Sequence, residues 1–108
     1  MQAFYSDQFV LPLPPGHRFP MGKYRLLRDR VAAGLPEVRF APAPPASDGE
    51  LALVHTPFYI EAISRGTVDP RIVREIGFPW SEAMVERARR SVGATVAAAR
   101  TAFTQGIA

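Results

Sequence analysis

The sequence lacks cysteine altogether, and it also lacks long apolar runs. Without thiols the chain has no disulfide framework, no cysteine nucleophile and no thiolate metal site. No apolar stretch approaches the roughly 20 residues that a membrane-spanning helix needs. The first residues, Met1-Gln2-Ala3-Phe4-Tyr5, have neither the basic patch nor the apolar stretch of a signal peptide. We therefore expect a soluble, cytoplasmic protein with no membrane partner.

Histidine is scarce, with two residues in 108. A hydrolytic zinc site uses about three protein ligands and a base. His17 and His55 stand far apart, and neither belongs to a motif with metal-ligand spacing. The net charge is +3, with weak basic clusters at 23–30 and 87–90 that we interpret as solvated helix faces. The residues themselves thus show no catalytic constellation, and we expect no nucleic-acid partner.

The first 41 residues predict the opening of a parallel sheet. Residues 2–5 are typical of a short buried strand, and the proline-rich stretch 6–19 predicts a loop. A helix is expected from about Pro20 to Gly34, and residues 37–41 alternate as a second strand does. The order of strand, loop, helix and strand begins a βαβ unit, so the sequence predicts an α/β fold.

Helix signals dominate the rest of the chain. Asp48, Thr56 and Asp69 each have the chemistry of an N-cap, and a proline follows the last two directly. They predict three short helices, over 48–55, 56–64 and 71–76.

The longest helix is predicted from Glu82 to about Gln105, with Ser81 as its cap. In its first half we expect the charged residues to lie outside; they are Glu86, Arg87, Arg89 and Arg90. Its second half, 93–102, is small or apolar on several sides and predicts packing on several sides. Ile107 and Ala108 follow a C-terminal glycine and resemble the first step of a buried strand, the alternative being a frayed tail. We therefore expect residues 1–108 to form the N-terminal segment of one larger α/β domain, truncated at residue 108.

Three stretches carry a family resemblance: 16–24 (GHRFPMGKY), 51–60 (LALVHTPFYI) and 93–108 (GATVAAARTAFTQGIA). They resemble, in order, the first active-site loop, the Leu-x-x-Val-His-x-x-x-Tyr segment and the helix before the catalytic strand of zinc-dependent histone deacetylase-family proteins. That group includes acetylpolyamine amidohydrolases and acetoin-utilisation proteins, and the likeness is strongest to class IV-type and bacterial members.

The resemblance implies a parallel arginase/deacetylase-type fold, of which this chain would be the N-terminal portion. It also implies one zinc held by two Asp and one His, a His pair that moves protons, and a Tyr that polarises the acyl carbonyl. In the family these residues follow the segment that this chain matches. No catalytic or metal-binding residue is therefore assigned to this chain, and zinc is expected only in the whole protein.

The first resembling loop supplies three candidate pocket-lining residues: His17, Arg18 and Phe19. An arginine there would pair with a leaving carboxylate. His17 has the alternative role of a loop histidine bonded to backbone groups. Phe19 has the alternative role of a core anchor for the loop.

Four further side chains allow structural interpretations. We expect the His55 imidazole to bond the ends of two short helices. Tyr24 and Tyr59 are expected to be core residues with satisfied hydroxyl groups. Trp80 fits either a core position or the rim of a partner surface.

Two functions follow as hypotheses. The chain is part of a zinc-dependent hydrolase that removes acyl groups from acyl-lysine or acylated amines, and it lacks the catalytic site itself. The alternative is a non-catalytic truncated homologue that acts as an interaction module. In either case we expect the isolated segment to self-associate through residues 93–102.

Overall fold

The structure is a computed structural model that describes all 108 residues, Met1–Ala108. It contains two short strands and five helices: β1 (Gln2–Tyr5), α1 (Lys23–Gly34), β2 (Arg39–Pro42), α2 (Asp48–Leu51), α3 (Pro57–Arg65), α4 (Pro70–Ile76) and α5 (Glu82–Gln105). No helix is long and apolar enough to cross a membrane.

The expected fold class, the N-terminal portion of an arginase/deacetylase-type parallel α/β sheet, is wrong for this chain. The structure is 52% helix and 7% strand, and its sheet has two strands. The strand expected to begin at Ile107 does not form, and that side chain is exposed. A strand needs a neighbouring edge to complete its hydrogen bonds. The chain is therefore a mostly helical structure with a minimal sheet.

The two strands are parallel and are joined through α1. Gln2 pairs with Arg39, and the register continues to Tyr5 opposite Pro42. The Tyr5 carbonyl extends the ladder by accepting a hydrogen bond from the Ala43 amide at 2.7 Å. α5 packs against β1, and α3 packs against α5. The predicted strand–helix–strand order at the N-terminus is therefore present as a local unit.

Side-chain caps fix where the short helices begin. Thr56 and Asp69 accept hydrogen bonds from the first turns of α3 and α4, and Ser81 does the same for α5, as expected. The first short helix differs, because its cap is Ser47 and not Asp48. Ser47 and Glu50 form a reciprocal capping box, with N–O distances of 3.0 and 3.1 Å.

Arginines of α5 hold the proline-rich connector 43–48 against the helix. Prolines remove amide donors, so the carbonyl groups of such a segment need other partners. Arg90 Nη1 donates to the Ala43 carbonyl at 2.9 Å, and Arg89 Nη1 donates to the Ala46 carbonyl at 3.1 Å. The expectation that these charges lie outside is therefore wrong, because they serve as donors to the connector.

The same connector approaches α5 most closely at Gly93, which is buried. A Cβ atom at this position would overlap the Pro44 carbonyl oxygen and lie 3.0 Å from the Ala46 nitrogen. The absence of a side chain at Gly93 is thus what lets Ala43 and Ala46 reach almost complete burial, at 0% and 2% exposure.

Trp80 joins α3 to the start of α5. Its indole Nε1 donates to the Ile63 carbonyl at 2.7 Å. Its ring lies against Gly66, which has a left-handed φ of 74° and where a Cβ would come within 2.9 Å of the ring. Trp80 therefore packs within the chain while remaining half-buried, and a place at the rim of a partner surface stays a prediction.

The molecule is flat, with Cα extents of 45 × 35 × 17 Å. A slab this thin holds a helix layer on a sheet but no third layer. Its radius of gyration is 15.5 Å, against about 13 Å for a compact chain of this length. Consequently 10 of the 108 residues are buried, and large apolar side chains such as Phe58 and Phe103 remain more than four-fifths exposed.

Candidate functional site

An apolar groove of about 480 Å³ runs between α3, the first half of α5 and the loop that precedes α1. Its volume lies in the range of small-molecule sites. Most of its wall is hydrophobic. Apart from tyrosine, its charged or titratable groups are two arginines and one histidine. The lining residues are Leu11, Phe19, Tyr24, Leu51, His55, Tyr59, Ile60, Ile63, Ser64, Ile76, Phe78, Met84, Val85, Arg87, Ala88, Arg89, Ser91 and Val92.

The loop before α1 is anchored by stacked rings. His17 stacks on Phe78 with centroids 5.7 Å apart, and Phe19 meets Phe78 edge to face at 5.1 Å. His17 Nδ1 accepts a hydrogen bond from the Phe19 amide at 3.1 Å. Its Nε2 lies 3.1 Å from the Gly77 carbonyl, so the hydrogen bonds assign the ring proton to Nε2. Both ring nitrogens of His17 therefore have backbone partners.

The three candidate pocket-lining residues occupy different places. Phe19 lines the groove directly, beside Tyr24. His17 lies next to the wall and fixes the loop, while Arg18 is exposed. The structure brings Phe19 to the groove, and a substrate-binding role for the three residues stays a prediction.

The second resembling stretch also reaches the groove, through His55 and Tyr59. Their rings lie 5.3 Å apart and are tilted by 41°. The His55 imidazole is exposed and makes no side-chain hydrogen bond, so its expected role as a bridge between helix ends is wrong. Tyr24 and Tyr59 are half-buried wall residues whose hydroxyl groups have no protein partner, which also corrects the expected satisfied core positions.

Arg87 is the functional candidate that sequence reasoning missed. The sequence predicts that Arg87 lies on a solvated helix face, whereas in the structure it is 6% exposed. Its Nη1 donates to Ser6 Oγ at 2.9 Å, and its guanidinium carbon lies 4.3 Å from the centre of the Tyr24 ring. Met84, Arg87 and Ser91 are spaced so that all three lie on one face of the helix. This spacing was the feature of the sequence from which the burial of Arg87 could have been predicted.

A second cavity of about 380 Å³ lies between α1, α5 and the strands, and it shares Tyr24, Arg87 and Ser91 with the groove. At its edge Asp7 accepts two hydrogen bonds from Arg28 Nη1, at 2.9 and 3.2 Å. The hydrogen bond to Asp7 raises the pKa of Arg28 above its ordinary value, against an opposing desolvation effect. This ion pair fastens the proline-rich loop to α1.

The chain offers no ligand set for the zinc that the resemblance implies. No group of three or more His, Cys, Asp or Glu side chains lies close enough to hold a metal ion. Zinc sites in hydrolases use three such protein ligands. These residues therefore do not fit the metal, and the groove offers instead an apolar wall with cationic groups.

One comparison with known proteins finds a relative. The chain is 39% identical over 107 residues to an uncharacterized protein of Picosynechococcus sp., and the match covers 96% of this chain and 35% of that protein. The chain thus spans about a third of the length of the curated relative that it matches. No protein-family model matches the chain. Neither comparison supplies a function.

Proposed function

We propose that this chain is the N-terminal part of a cytoplasmic, zinc-dependent hydrolase that removes acetyl or other acyl groups from acyl-lysine or acylated amines. One observation carries the proposal. Two stretches that resemble the deacetylase family, 16–24 and 51–60, are separated in sequence but line the same groove, through Phe19 and Tyr24 on one side and His55 and Tyr59 on the other.

In this proposal the chain builds part of the wall of the substrate site and supplies no metal ligand. The His17 hydrogen bonds to Phe19 and Gly77 hold the loop in place, so that the Phe19 ring faces the groove. An apolar wall suits the methylene stem of an acyl-lysine. The zinc and its ligands would come from the remainder of a longer protein, and the partial match to a longer relative supports that arrangement.

The test uses the protein at its natural length, purified from its source cells and assayed on acetyl-lysine peptides. We expect release of acetate that a chelator abolishes and added zinc restores. Phe19→Ala should raise KM for the peptide because it removes groove wall. Arg25→Ala is the control and should leave the kinetics unchanged, since the Arg25 side chain is charged, 81% exposed and outside both the groove and the three resembling stretches. A zinc-loaded protein with no deacylase activity on any acyl-lysine peptide contradicts the proposal.

The second candidate is a non-catalytic interaction module, favoured by the apolar surface of the chain. Leu53, Val54 and Phe58 are each more than four-fifths exposed. Such surface drives association when it is contiguous. Light scattering should then report an oligomer, and an apolar dye should bind. A monodisperse monomer that does not bind the dye counts against this candidate.

A further inference from the structure

Arg87 differs from the other partly buried arginines in having no acidic partner. Arg28 pairs with Asp7, Arg89 with Asp48 and Arg90 with Glu86, at 2.6 to 2.9 Å. The side chains of those three arginines are between 20% and 39% exposed. Arg87 is the most buried of the four, at 6% exposure, and its one side-chain partner is the neutral hydroxyl of Ser6.

The unsatisfied part of Arg87 is one edge of its guanidinium. Nη1 is occupied by Ser6 Oγ, whereas Nε is buried and has no hydrogen-bond partner. Nη2 has no protein acceptor either. The Nε and Nη2 donors lie on the same edge, and this pair of parallel N–H groups matches the two oxygens of a carboxylate. A buried cation without such a partner is costly, so the edge is poised for an acceptor.

The charge of the surrounding groove favours an anion. Arg87 and Arg89 both line it, and no Asp or Glu side chain does. Because Arg89 already pairs with Asp48, Arg87 is the cation that a ligand would neutralise. The rest of the wall is mainly hydrophobic, and the volume of about 480 Å³ accommodates a small organic molecule. A ligand that satisfies both features has a carboxylate at one end and an apolar body.

We propose that the groove binds a small organic carboxylate, whose oxygens accept hydrogen bonds from Arg87 Nε and Nη2 and whose apolar body lies along α5 against Met84 and Phe19. Because Nε has no exposed surface in the empty groove, binding moves aside the side chains that cover this edge. The inference does not depend on the hydrolase proposal, since it concerns binding alone and needs no metal.

The test is a titration of the protein with octanoate, with neutral octanamide as the matched ligand. The readout is the ¹H–¹⁵N spectrum, in which the Arg87 Nε–H group gives its own signal. We expect saturable octanoate binding that shifts this signal, and affinity for octanamide at least tenfold lower.

Two variants make the test specific. Arg87→Met removes the donors and should lower octanoate affinity at least tenfold. Arg25→Met should leave it unchanged, because Arg25 lies outside the groove and its side chain is 81% exposed. If Arg87→Met fails to fold, Arg87→Lys keeps the charge without the paired donors and should also weaken binding.

Equal affinity for the two ligands, or equal octanoate affinity in the Arg87 variants and the wild type, overturns the proposal. Absence of saturable binding overturns it as well. The proposal is also overturned if the Arg87 Nε–H group is already hydrogen-bonded to a protein carboxylate, so that its signal does not respond to octanoate. A polypeptide segment then occupies this edge of the guanidinium.

Discussion

Gly93→Ala should destabilise the protein, although the same substitution usually stabilises a helix. In a helix interior, Gly→Ala ordinarily gains about 1 kcal/mol. Here the new methyl group would overlap the Pro44 carbonyl oxygen and lie 2.8 Å from the Pro44 carbonyl carbon. Because both atoms belong to backbone, the clash is relieved only if the connector 43–48 withdraws from α5.

The size of the destabilisation by Gly93→Ala follows from the contacts that are strained when the connector moves away from α5. Overpacking a tight site costs about 1–3 kcal/mol. The Ala46 amide bond to the Arg89 carbonyl and the Arg90 bond to the Ala43 carbonyl, both 2.9 Å long, would weaken; a typical hydrogen bond contributes about 1 kcal/mol. After subtraction of the helix gain we expect a net loss of about 2 kcal/mol in the free energy of unfolding.

Urea denaturation followed by circular dichroism measures this difference. Gly34→Ala is the matched control, because Gly34 also lies in a helix and, apart from the adjacent residues of α1, no atom lies within 4 Å of its Cβ position. It should leave stability unchanged or raise it by up to about 1 kcal/mol. A Gly93→Ala variant as stable as the wild type would refute the close approach of the connector to α5.

Two further predictions concern hydrogen bonds at Trp80 and at Glu50. Trp80→Phe removes the donor to the Ile63 carbonyl and should cost about 1 kcal/mol of stability in urea denaturation; an unchanged midpoint contradicts that role. Backbone and side-chain hydrogen bonds from Ser47 lower the pKa of Glu50 below its ordinary value. The folded state is therefore favoured above the ordinary glutamate pKa, and this contribution is lost as pH falls through the lowered value. Glu50→Gln should remove this part of the pH dependence, and a carboxyl titration by NMR that finds an ordinary Glu50 pKa argues against it.

The starts of α3, α4 and α5 could be predicted from the sequence because they depend on adjacent residues. α1 begins at Lys23 and not near Pro20, and α2 ends at Leu51 and not at His55. Thr56 and Asp69 each precede a proline, and Ser81 begins a periodic apolar stretch, so cap and helix are specified within a few positions. Ser47 was missed in favour of Asp48, although Glu50 three residues after Ser47 completes a capping-box pattern.

The arginines of α5 could not be placed from local sequence. A basic run on a helix is usually solvated, and the reason that Arg89 and Arg90 turn inward lies some 40 residues away, in carbonyl groups of the connector 43–48. Arg87 is buried for a similar reason, since its partner Ser6 is 81 residues away in sequence. Helical periodicity does not reveal partners that are this distant in the sequence.

The predicted fold class was wrong because a local sequence pattern indicates where a strand forms but not how many strands the sheet contains. Residues 2–5 and 37–41 predicted two paired strands close to where they occur, but the extension to a larger sheet depended on Ile107 and on the family resemblance. Phe19 lies in the groove wall, but its expected role in a substrate pocket stays a prediction. His55 was expected to bridge helices and Arg87 to face solvent, and the structure places both in the groove wall instead.

Native mass spectrometry of the protein from its source cells tests the central proposal most directly, because one spectrum reports both chain length and bound metal. The proposal predicts a chain several times heavier than 11.9 kDa that carries one zinc ion. A chain of 11.9 kDa without zinc would contradict the hydrolase proposal and leave the interaction module as the remaining function.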